Sequence, residues 1–106
     1  MDNVKSPLND FKKVIEILTI ILNKVNEETD VVWTRFDRPE ELIADLQQNI
    51  KKLQSNDLDV LDKLNLMFGP TATYQELSIS NGWGDEYLYL SKQFDEAYEN
   101  LKRDHQ

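Results

Sequence analysis

Cysteine is absent from the 106 residues. That excludes a disulfide framework, a thiolate metal site and a cysteine nucleophile. Histidine is nearly absent: His105, next to the last residue, is the only one. A catalytic histidine needs an orienting partner and a shielded site, and a chain end offers neither. Long apolar runs are missing as well. The most apolar stretch, Val14 to Val25, is interrupted by Glu16, Thr19, Asn23 and Lys24. It is too short and too polar to span a bilayer. Met1-Asp2-Asn3-Val4-Lys5 shows no basic region followed by an apolar segment, as a secretory leader requires. A cytoplasmic protein is expected.

Positive charge is scarce: 20 acids oppose 12 bases, for a formal net charge of −8. Such a surface repels phosphate backbones and anionic lipid. Lys12-Lys13 and Lys51-Lys52 are isolated pairs, not the basic stripe that nucleic-acid binding needs. Neither nucleic acid nor membrane is expected as a partner; an acidic face suits a basic protein.

Motifs for phosphate, metal or covalent chemistry are also lacking. Gly82-Trp83-Gly84 lacks the third glycine and the preceding strand of a dinucleotide fingerprint. There is no G-x-S-x-G elbow. Asp57-Leu58-Asp59-Val60-Leu61-Asp62 lacks the glycine and terminal glutamate of a calcium loop. The carboxylates near Glu40, Asp57 and Asp95 are unaccompanied by the Glu-x-x-His motifs of di-metal bundles. No cofactor, metal or catalytic residue is expected, and the chain is read as a non-enzyme.

What is present is helical periodicity in a chain 40% apolar and 30% charged, a globular balance. One all-α domain covering 1–106 is expected, a compact bundle of about four helices plus a short helix before Gly82. The first starts at Ser6-Pro7, a cap followed by a first-turn proline. Leu8, Phe11, Val14, Ile15, Leu18, Ile21, Leu22 and Val25 follow at helical spacing. Ile17 and Ile20 add a second apolar flank. Such a helix is either central in its bundle or shared in a homodimer through Ile17 and Ile20.

Val31-Val32-Trp33-Thr34-Arg35-Phe36 has strand composition but no second strand to pair with. An extended linker is expected, with Trp33 and Phe36 packed on the helices. The next helix begins at Asp37-Arg38-Pro39-Glu40, with Asp37 capping. Leu42, Ile43, Leu46, Ile50 and Leu53 form its buried stripe. Ser55-Asn56-Asp57 ends that helix and can cap a third, which carries Leu58, Leu61, Leu64 and Met67 or Phe68 and is stopped by Gly69-Pro70. Thr73-Tyr74-Gln75-Glu76 fits a capping box and opens the short helix. Asn81-Gly82 bends the path at a position suited to positive φ. Trp83, Tyr87, Leu90, Phe94, Ala97 and Leu101 then recur in steps of four and three, the most regular stripe in the chain.

Aromatics gather around that last helix. Tyr89 lies about 120° from the Trp83 stripe, beside acids. Tyrosine and tryptophan within a charged rim are typical anchors of protein interfaces. Trp33, Tyr74, Trp83, Asp85, Glu86 and Tyr89 are therefore the candidate partner-binding residues. The stretch Leu77-Ser78-Ile79-Ser80-Asn81-Gly82-Trp83-Gly84-Asp85-Glu86-Tyr87-Leu88, with Phe94-Asp95, resembles segments of small bacterial all-helical acidic proteins of no assigned activity; Trp33 before an acidic helix adds to the likeness. In size and charge the chain is similar to immunity proteins that neutralise bacterial toxins. The likeness implies a small acidic inhibitor and carries no site residue over. A homo-oligomeric structural protein is the alternative.

Overall fold

A computed structural model describes residues 7–104. Every regular element in it is a helix: α1 (Pro7–Asn23), α2 (Pro39–Gln54), α3 (Asp59–Met67), α4 (Thr73–Ser80) and α5 (Gly84–Asp104). Ser6, expected to cap α1, and His105 lie outside the described residues. The molecule is elongated, 47 × 26 × 21 Å, as three long helices laid side by side require. Helix α1 is packed against both α2 and α5; α4 lies on α5, and α3 touches α2 and α5.

The double apolar flank of α1 follows from that central position. Phe11, Val14, Leu18 and Ile21 are buried, and so is Ile17, which is wholly inaccessible. Each large side chain so removed from water contributes about 1.5–3 kcal/mol. The expectation that Ile17 offers itself to a second copy is therefore corrected: its side chain is enclosed in the protein's own core. Ile20 remains 38% exposed.

Helix α5 buries the stripe read from its spacing: Tyr87, Leu90, Phe94, Ala97 and Leu101. Phe68, just past α3, lies against it. Its ring stacks on Phe94 with centroids 4.3 Å apart and meets Tyr74 edge-on at 4.8 Å. The Tyr87 hydroxyl donates to the Phe68 carbonyl at 3.0 Å, satisfying an acceptor at the end of α3. On the surface, Asp62 of α3 accepts hydrogen bonds from the Tyr98 hydroxyl at 2.8 Å and from Lys102 at 3.3 Å, tying α3 to α5.

Helix α2 holds a polar residue that the stripe of leucines concealed. Leu42, Leu46, Asn49 and Leu53 are buried at steps of four, three and four. The Asn49 amide donates to Asp45, and Lys63 of α3 reaches both Asp45 (2.7 Å) and the Asn49 carbonyl oxygen (3.1 Å). A buried amide left without such partners costs about 1–3 kcal/mol, so this tie fixes how α2 meets α3.

Two helix starts differ from expectation. Asp37 does not cap α2. Arg38 holds the N-cap position with no side-chain bond, and the Asp37 N–H is instead taken by Glu41 at 3.0 Å. Thr73 is the first residue of α4 and not its cap; Ala72 precedes it, and the Gln75 side chain accepts from the Thr71 N–H at 2.8 Å. In both helices a side chain one turn inside reaches back for a free donor. Asp57 does bond the Asp59 N–H, at 2.9 Å, where α3 starts.

Candidate functional site

The candidate residues separate into one that is interior and five that are at the surface or partly so. Tyr74 is fully buried against Phe68, which removes it from any contact surface. Burial first, then the nearby Asp45 charge, pushes the ionisation of its hydroxyl far above the ordinary range, with Asn49 acting weakly the other way. Trp33, expected to pack on the helices, is 69% exposed; Phe36 does pack against the core. Trp33 stands out because the chain turns beneath it. Residues 24–38 hold no strand; Val31 is buried and its carbonyl accepts from the Thr34 N–H at 2.9 Å.

A network of short bonds holds this turn. Asp30 accepts from the Val32 N–H, and the Thr34 hydroxyl donates to the Val31 carbonyl while accepting from the Phe36 N–H. Asn81, at the end of α4, clamps the loop from outside. Its side-chain oxygen accepts from the Asp30 N–H and its amide donates to the Asp30 carbonyl, both at 2.9 Å. The amide also donates to the Leu77 carbonyl, capping α4. One asparagine thus fixes both a helix end and the loop carrying Val32 and Trp33, which are 74% and 69% exposed.

Asn81-Gly82 also aims the start of α5. Gly82 has φ +85°, as the turn reading required. Trp83 then lies partly buried, with the Lys24 ammonium 5.3 Å from its ring centroid. Lys24 simultaneously bonds Glu86 at 2.6 Å. The indole, the cation and the carboxylate lock the end of α1 to the first turn of α5. Contacts of this exposed kind contribute about 1 kcal/mol or less each, so they orient the end of the bundle and do not hold it together.

Beyond this clasp, α5 turns an exposed face outward. Leu88 and Tyr89 are 64% and 63% exposed, with Asp85 and Glu86 one turn before them. Ile79 of α4, 59% exposed, stands over Gly84, where an added Cβ would be 3.7 Å from its Cγ1. Leu88 is one turn further along the same side. Trp33, Trp83, Asp85 and Glu86 therefore share one end of the bundle, and Tyr89 continues from it along α5. Val32, Ile79 and Leu88 were missed by sequence reasoning. Their signal was a misfit: Leu88 falls off the α5 stripe, and Ile79 off the buried side of α4.

Among the described residues no group of three or more acidic or histidine side chains is placed to hold a metal ion. No helix among the described residues is long and apolar enough to cross a membrane. Over the described residues the molecule is all-helical, with five helices. Comparison with protein-family models, with characterised proteins and with solved structures finds no match.

Proposed function

We propose that this chain is a non-enzymatic protein-binding module for a basic partner, of the small inhibitor or immunity type. The observation that carries the reading is the Val32-Trp33 turn. Two large apolar side chains stand in water on a loop that at least five hydrogen bonds hold in shape. Isolated exposed leucines need no explanation; an exposed tryptophan on a fixed loop, beside further apolar residues and an acidic rim, has the make-up of an interface anchor. A fixed loop also loses little conformational freedom on binding. The net charge of −8 speeds encounter with a basic protein and screens away with salt.

Affinity capture from the native host, with wild type, Trp33→Ala and Tyr89→Ala as baits, tests this. One basic protein should be retained by wild type, lost or weakened at least about tenfold with Trp33→Ala, weakened less with Tyr89→Ala, and released by salt. Capture indifferent to both changes and to salt contradicts the reading. So does a chain that sediments as a dimer at micromolar concentration and reverts to monomer on Trp33→Ala, which would assign the surface to self-association.

A further inference from the structure

Asn81 joins a structural duty to a chemical weakness. Its Oδ1 accepts from the Asp30 N–H at 2.9 Å, and its Nδ2 donates to the Asp30 carbonyl at 2.9 Å and to the Leu77 carbonyl at 2.8 Å. Two of these three bonds need amide hydrogens. Among the asparagines of the chain only Asn81 precedes a glycine. Glycine has no Cβ to keep its nitrogen from a preceding side chain. In an unfolded Asn-Gly pair that nitrogen therefore reaches the asparagine Cγ readily. The new N–C bond expels the side-chain amide as ammonia, which carries off the glycine N–H proton. Water then opens the cyclic imide at either carbonyl, leaving aspartate or isoaspartate. Nothing is oxidised or reduced, and solvent water is the one co-reactant.

The fold restrains this reaction without burying it. Gly82 is exposed and Asn81 half-buried, so water reaches both. A Cβ built on Gly82 would meet nothing within 4 Å, so no neighbour shields the position. The restraint is conformational. Asn81 has ψ 10°, which leaves the Gly82 nitrogen nearly eclipsing the nitrogen of Asn81 itself and turned away from its Cβ. Ring closure needs the Gly82 nitrogen to eclipse Cβ instead. Meanwhile the three bonds hold the side chain against Asp30 and Leu77, and the Gly82 N–H adds a long bond to the Ile79 carbonyl at 3.4 Å. Reaction must wait for this turn to open locally, a fluctuation that costs less than global unfolding.

The product cannot close the clamp again. A carboxylate carries no hydrogen to donate. One oxygen still suits the Asp30 N–H. The other would face the Asp30 and Leu77 carbonyl oxygens, acceptor against acceptor, where a donor stood before. Isoaspartate, in addition, lengthens the backbone through the turn.

We propose that Asn81 is a self-modification site: its deamidation, gated by local opening of the turn between α4 and α5, irreversibly releases the Val32-Trp33 loop. Loss of the partner surface would follow, and that consequence alone rests on the binding function proposed above.

The test follows deamidation by mass spectrometry of the intact chain and of its peptides, in buffer and in denaturing urea at the same pH. In urea Asn81 should convert before any other amide, and Gly82→Ala should slow it. In buffer, conversion should be slower by about ten- to a thousandfold, the range of a local opening. Release is read in the Trp83→Phe background, where Trp33 is the sole tryptophan. The aged chain, and Asn81→Asp made directly, should both show a fast local decay of Trp33 anisotropy that the fresh chain lacks, with helix content by circular dichroism unchanged. Should Asn81→Asp fail to fold, the aged chain still gives the readout. No partner enters these measurements, so they can fail while the binding function stands, and succeed while it falls. Conversion in buffer as fast as in urea overturns the inference, because the fold then gates nothing. So does slowing by the full unfolding equilibrium constant, which leaves no separate opening of the turn. A Trp33 as still after conversion as before, or a general loss of helix, overturns it too.

Discussion

At Gly82 the backbone takes φ +85°, and a Cβ placed there would meet nothing within 4 Å. Any cost of a side chain is therefore conformational and not steric with respect to neighbours. A β-branched residue in this region costs about 1–2 kcal/mol. Gly82→Val should lower the free energy of unfolding in urea by that amount, and Gly82→Asn by less, since asparagine tolerates left-handed conformations. Equal stability of all three contradicts the backbone argument. This residue was legible because Asn-Gly is a turn signal whose cause is local. Tyr74 and Trp33 were not. Tyr74 sits between polar residues and Trp33 follows two valines, the reverse of their burial, and only the tertiary packing places one against Phe68 and leaves the other in water.

Among the elements, α5 was readable because it buries one narrow stripe, so spacing alone identifies Tyr87, Leu90, Phe94, Ala97 and Leu101. The start of α4 was not. The S/T-x-x-E pattern has a physical meaning only if the threonine is the cap, and here Thr73 sits one residue inside. The α3–α5 tie was also invisible, because Asp62 and Tyr98 are 36 residues apart. It has a pH signature. The Tyr98 hydroxyl first, then Lys102, holds the Asp62 carboxyl below its ordinary value of 3.8. With the folded value below the unfolded one, the tie's contribution is fully present above the ordinary value and is lost as pH falls through the lowered one. The same bond raises the Tyr98 ionisation, so it is lost again as pH rises through that elevated value. Asp95 acts with opposite sign: burial, then Glu99, raises its carboxyl, and acidification relieves the cost. Tyr98→Phe should move the Asp62 carboxyl, followed by NMR, back toward the ordinary value, short of it because Lys102 remains. An unmoved titration contradicts the assigned cause.

For the molecule as a whole, the all-helical class followed from periodicity, while the two apolar flanks of α1 left a central place and a shared homodimer face both open; its place between α2 and α5 is a finding of the structure. The surface did not follow, since exposure is a property of the assembled bundle. The network Asp30–Asn81 and the clasp Lys24–Glu86 join segments 51 and 62 residues apart, and together they decide that Val32 and Trp33 stand clear at one end. The central claim is that this tryptophan is both open to water and held still. Trp83→Phe leaves Trp33 as the sole tryptophan, so with excitation beyond tyrosine absorption, acrylamide quenching and time-resolved anisotropy of that variant measure both properties at once. Quenching close to that of a tryptophan in a short peptide is expected, with anisotropy that decays mainly by tumbling of the whole molecule. Adding Asn81→Ala should introduce a fast local decay. A shielded indole, or free local motion with Asn81 intact, contradicts the account.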